Sequence, residues 1–86
     1  MLLNIYSVRD NNGDFKGLFN DINDELAKRN FIMAFAADSM MNAFAQDFDL
    51  YKLGTFNSET AEIVGLLPVK VLDGVSAKAM ATDIEV

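Results

Sequence analysis

The 86-residue chain has no cysteine, no histidine and no tryptophan, and only one proline. Without cysteine there is neither a disulfide framework nor a thiolate metal site, and without histidine the commonest general base and zinc ligand are missing. Cations are also scarce: seven Lys and Arg stand against thirteen Asp and Glu, a net charge of −6. The summed field repels phosphate polymers at long range, and any basic stripe must be built from those few cations. No uninterrupted apolar run approaches the roughly 18 residues of a membrane span, and the start MLLNIYS lacks the basic-then-apolar order of an export signal. The expectation is therefore a soluble, non-exported protein with no membrane partner. What remains is globular material, 51% hydrophobic and 23% charged. Its length supports one core, hence a single domain over 1–86, with a compact radius of gyration of roughly 12 Å.

Near alternation over Leu2–Val8 predicts a first strand, and Arg9–Asp14, rich in asparagine with Gly13, predicts a tight turn into a returning strand over Phe15–Phe19. From Asn23 the pattern becomes helical. Acids precede bases over Asp24–Arg29, the order that suits a helix dipole, with Asn20, Asp21, Asn23 and Asp24 as alternative caps. Leu26, Ala27, Met33, Ala34 and Ala37 share one helical face. The run Phe31–Ala37 is apolar all round, so either the sheet with the following segment covers it or a second subunit does. Asp38 and Ser39 can cap a shorter helical turn over Met40–Ala45.

A second hairpin follows, turning over Asn57–Thr60. Strict alternation puts Tyr51, Leu53 and Thr55 on one face and Leu50, Lys52, Gly54 and Phe56 on the other. Leu66–Leu72 is β-rich, with Pro68 fitting only an edge or a strand start. Ser76 can cap a last short helix, Ala77–Ala81, and Thr82–Val86 is expected to fray. The fold class is α+β: a small antiparallel sheet from two β-hairpins, one main helix over Asp24–Ala37 packed on one face, and a short C-terminal helix.

Few residues invite chemistry. Asp47 and Asp49 could point the same way, but such pairs are common on solvated loops, and an enzymatic role is not expected. Asp10–Asp14 with Asp21 has oxygen ligands at alternate positions, yet Phe15 stands where a calcium loop needs glycine, so a plain hairpin turn is the better reading. No phosphate-binding loop is present and nothing points to a cofactor. The best nucleic-acid candidates are two aromatic–cation pairs, Tyr6 with Arg9 and Tyr51 with Lys52, set against the ordinary use of strand tyrosines as half-buried core. Phe31, Phe35, Met40 and Met41 are candidates for a homo-oligomer interface, against simple core filling. Gly54, costly inside a strand, marks a bulge or the close approach of another backbone, a ligand or a second subunit.

The segments NIYSVRD (4–10), NDELAKRNF (23–31) and SMMNAFAQDFDLYKLGTFNSETAEI (39–63) resemble the small nonstructural protein of gokushoviruses and related microviruses. Members of that family have a strand ending YS[IV]RD, a helix that opens Asn-Asp and contains Arg-x-Phe, and a segment P-E-D-Y-x-L-Y-[KR]-[LI]-G-x-F-[DN]. Tyr6, Arg9, Asp10, Asn23, Asp24, Arg29, Phe31, Tyr51, Lys52, Leu53, Gly54 and Phe56 lie on those motifs, and none is catalytic by the resemblance. The resemblance implies a DNA-binding or replication-associated phage protein of the bacterial host cytoplasm. Such a protein would act as duplex replication gives way to single-stranded genome synthesis, by binding single-stranded DNA or viral or host replication proteins. The competing expectation is an acidic protein–protein adaptor that never touches DNA. Two departures stand out: Asp47-Phe48-Asp49 replaces the usual acidic and tyrosine positions, and Ala61 stands where glycine is usual, which predicts a turn that closes differently.

Overall fold

A computed structural model describes residues 1–84. The elements run β1 (Leu2–Asp10), β2 (Phe15–Asp21), α1 (Asp24–Ala37), α2 (Ser39–Ala43), a 3-10 turn (Ala45–Asp47), β3 (Phe48–Asn57), β4 (Ile63–Asp73) and α3 (Gly74–Ile84). The two hairpins join through β1 and β3 into one antiparallel sheet of order β2-β1-β3-β4, with the helices on one face. The α+β reading holds.

Local chemistry accounts for most boundaries. In the first turn the Gly13 N–H donates to the Asp10 carbonyl at 2.9 Å, and the Asn12 N–H to the Asp10 side chain at 3.0 Å. Asn23 caps α1 by accepting the Leu26 N–H at 2.9 Å, with Asp24 and Glu25 in the first turn where the dipole favours anions. Asp38 caps α2 by accepting from the N–H groups of Met40 and Met41. α3 is longer than its alanines suggested and is capped by Asp73 rather than Ser76. The Asp73 carboxylate accepts the Ser76 N–H at 2.7 Å and the Ser76 hydroxyl at 3.1 Å, and the Ser76 N–H above all holds that carboxyl below its ordinary pKa. Of the tail expected to fray, Thr82 to Ile84 is helical, and the last two residues lie outside those described.

The core gathers Tyr6, Ala27, Phe31, Phe35, Ala45, Leu50, Ala77 and Ala81. The inward stripe of α1 is Ala27, Phe31 and Phe35, at four-residue spacing, and not the Met33 and Ala37 face, which is exposed. The apolar end of α1 is covered in part within the chain, because the sheet takes Phe31 and Phe35 while α3 packs alongside, and Met33 and Ala37 stay exposed. The Phe31 and Phe35 rings meet edge to face, their centroids 5.0 Å apart. Buried to 2% and 1% exposure, neither offers the free surface that an interface between subunits would need. Met40 stays 69% exposed and Met41 is half-buried.

Strict alternation along β3 fails at Leu53. Ile5 pairs with Gly54 while Tyr6 pairs with Lys52, so Leu53 is an extra residue on β3, a β-bulge. The consequence corrects the face assignment: Lys52 lies on the helix side with Tyr6, whereas Gly54 and Phe56 lie on the opposite side with Ile5 and Leu3. The backbone that approaches Gly54 belongs to β4 of the same chain. A Cβ at Gly54 would fall within 3.0 Å of the Val64 carbonyl oxygen and 3.3 Å from the Gly65 Cα. The radius of gyration, 13.2 Å, and the extents of 40 × 29 × 16 Å exceed a compact sphere, since Ile63–Lys70 of β4 is exposed throughout. The helices cover one end of the sheet, and the β3–β4 hairpin runs on past them.

Candidate nucleic-acid interface

The four residues singled out for nucleic acid do not form one site. Tyr6 is fully buried, stacked on Phe19 at 5.5 Å, and its hydroxyl donates to Asp24 at 2.6 Å while accepting from the Asn4 amide at 3.0 Å. Burial first, then the bond to the Asp24 carboxylate, pushes its pKa up to about 12. A base cannot reach that ring, so Tyr6 is a core residue that fastens the start of α1 to the sheet. Lys52, opposite Tyr6, is on the helix side.

Arg9 and Tyr51 do share the open face, brought together by a residue the sequence did not advertise. Phe15 pairs with Arg9 across the first hairpin. The Arg9 guanidinium lies 5.7 Å from the centre of the Phe15 ring, and that ring meets Tyr51 edge to face at 5.4 Å and 78°. The signal available in the sequence was the tight turn itself, which sets Arg9 and Phe15 opposite each other. Beneath the aromatic pair Ser7 is fully buried, pairing with Tyr51 and donating its hydroxyl to the Gly17 carbonyl at 2.6 Å. Lys70 pairs with Tyr51 on the other flank.

The electrostatics of this row are mixed. Asp49, 7% exposed, lies 3.6 Å from the Lys70 amine and also accepts the Asn11 amide and the Gly74 N–H. It serves as a structural anchor between strand, turn and α3. Asp47 belongs to the preceding 3-10 turn. Lys70 is thus partly neutralised and Arg9 is the freer cation. Chemically, the row offers aromatic surface for stacking and a guanidinium for a phosphate or a carboxylate.

The remaining candidates resolve simply. Asp10 bonds within its turn, while Asp21, at the far end of β2, accepts from Asn30 at 2.7 Å. Among the described residues no group of three or more Asp or Glu is placed to hold a metal, and no helix is long and apolar enough to cross a membrane. Ala61 takes a left-handed conformation, at φ 65°, and alanine bears the strain of it.

In comparisons with known proteins, the family described as Phage ORF5 protein matches residues 3–77. No curated protein and no solved structure matches the chain. The matched span takes in all of the sheet but Leu2, and the start of α3.

Proposed function

Because the chain belongs to the Phage ORF5 protein family, we propose that it is a nonstructural protein of a microvirus-like phage, working in the host cytoplasm. It assists the passage from duplex replication to single-stranded genome synthesis by holding single-stranded DNA on the open face of its sheet. The observation that carries this reading is the row Arg9–Phe15–Tyr51: a cation over one ring and a second ring edge-on beside it. Stacking tolerates any base sequence, and Arg9 and Lys70 supply phosphate contacts on either side. The protein acts by presenting a surface and makes or breaks no bond.

The test is a titration of labelled single-stranded DNA at two salt concentrations. With two cations engaged, affinity falls with salt at a log–log slope of roughly −1.4. Tyr51→Ala weakens binding by roughly 5- to 100-fold, the worth of one stacked base. Arg9→Ala weakens it as well and flattens the salt slope. Lys52→Ala, on the other side of the sheet, binds like the parent. Equal affinity for Arg9→Ala, Tyr51→Ala and the parent refutes the site.

A second reading, an acidic adaptor for viral or host replication proteins, is favoured by the net charge of −6 together with exposed apolar side chains along β4, Leu67 at 88% among them. Absence of any DNA binding at low salt selects it.

A further inference from the structure

The row Arg9–Phe15–Tyr51 takes up only part of the open face. Beyond it, toward the tip of the β3–β4 hairpin, the same face holds a recess of about 170 Å³ lined by Ile5, Leu18, Phe19, Asn20, Phe56 and Ile63. Asn20 is polar and the other five are apolar. Tyr51 lies opposite Ser7 and Phe56 opposite Leu3, so four residues of β1, about 13 Å at about 3.3 Å each, separate the row from the recess. Four stacked nucleotides at about 3.4 Å each span that distance.

Charge, size and chemistry fit the same occupant. Arg9 and Lys70 stand by the row, and none of the residues lining the recess is charged. A strand crossing the face therefore meets cations where phosphate can lie and neutral ground where only a base can. An apolar cavity of roughly 150 Å³ holds one benzene ring, so the recess takes a single six-membered heterocycle. A docked protein would need far more surface, roughly 800 Å² per partner. Asn20, exposed and paired with Ile5, brings amide donors and an acceptor to walls that are otherwise hydrocarbon, with Leu18 and Ile63 standing 72% and 68% exposed at the two sides. Thymine matches this lining. Its ring edge carries an N–H between two carbonyl oxygens for the amide, and its C5-methyl has Leu18 and Ile63 to lie against. Cytosine would put an amine against hydrocarbon, and a purine adds a second ring.

We propose that this recess is a thymine pocket, which gives the single-stranded DNA site a base preference that ring stacking alone does not. The proposal rests on the DNA-binding reading above: the row holds the strand by its ring faces and phosphates, and the recess receives one base of that same strand.

Fluorescence anisotropy of the full chain at low salt tests this, with labelled single strands of about six nucleotides, within the usual site size, made of thymine, uracil, cytosine or adenine deoxynucleotides. Any stacking site favours flexible pyrimidine strands over purine ones, so thymine against uracil, which differ by one methyl, is the deciding pair. The parent binds the thymine strand roughly fourfold more tightly than the uracil strand, the worth of one buried methyl. Substituting Leu18→Ser and Ile63→Ser together removes that preference. Asn20→Ala weakens the thymine strand by roughly two- to tenfold, as one lost hydrogen bond does. Tyr51→Ala weakens the thymine and uracil strands alike and keeps their ratio. All three recess positions are exposed, so their variants melt with the parent by circular dichroism. Equal binding of thymine and uracil strands by the parent, a preference that survives the double substitution, or parent-like binding by Asn20→Ala overturns the proposal. Salt-sensitive binding that falls with Tyr51→Ala but ignores the methyl sinks the pocket and leaves the DNA reading standing, whereas no binding of any strand ends both.

Discussion

Replacing Gly54 with alanine probes the closest approach within the sheet. The added methyl would press on backbone, with the Val64 carbonyl carbon at 3.2 Å, the Gly65 Cα at 3.3 Å and the Val64 oxygen closer still. No side chain can swing aside, so β3 and β4 must separate by about an ångström against a normal spacing of about 4.8 Å. That stretches the ladder around the Gly54–Gly65 pair beyond hydrogen-bonding range. Two or three such bonds at about 1 kcal/mol each, less the 0.4–1 kcal/mol that alanine recovers by stiffening the unfolded chain, leave a loss of about 2 kcal/mol. For a domain of this size the melting temperature drops by about 8–16 °C. Urea unfolding followed by far-ultraviolet circular dichroism, on dilute protein, measures it directly. Gly65→Ala is the matched control: the same chemistry in the partner of the same pair, with open space around the new methyl. It should be neutral or slightly stabilising. Gly54→Ala within about 0.5 kcal/mol of the parent, the scatter of ordinary surface changes, or equal damage from both substitutions, refutes the close-approach argument.

Two further outcomes follow from buried and strained residues. Tyr6→Phe removes a hydroxyl bonded to the Asp24 carboxylate at 2.6 Å and should cost about 1.5–3 kcal/mol near neutral pH. The folded pKa of Tyr6, about 12, lies above the ordinary tyrosine value of 10.0, so its contribution is full below pH 10 and is lost as pH rises toward 12. That loss is on the order of 2–3 kcal/mol. The phenylalanine variant lacks this part of the alkaline slope, and identical slopes in pH-dependent urea titrations would refute the assignment. Ala61→Gly relieves a left-handed alanine and should stabilise the fold by about 0.5–1 kcal/mol, after allowing for the freer unfolded chain; a lower melting temperature would contradict that.

The turns, caps and fold class were legible because they depend on near neighbours. Asn11-Asn12-Gly13 could hardly be anything but a turn, Asn23 stood before acids and a helical run, and Pro68 fitted only an edge or a strand start and lies in the edge strand β4. The candidate site was half legible. Tyr51 and Arg9 carried the right chemistry, but Tyr6 has the same amphipathic character and went inward, because its hydroxyl found Asp24 eighteen residues away. Phe15 was missed because its role depends on standing between two other strands' side chains. Gly54 and Phe56 were wrongly given the face of Lys52 because of one extra residue, Leu53, which no local pattern announces apart from the glycine beside it.

Leu53 also alters what a deletion would mean here. Because Ile5 pairs with Gly54 and Tyr6 with Lys52, loss of that one codon would leave the two halves of β3 in unbroken alternation, with Phe56 still opposite Leu3 and the hairpin tip facing as it does now. A single copying slip at this point would therefore leave the character of both surfaces intact, and the sheet can absorb a change of length at the place where its ladder already carries one residue too many.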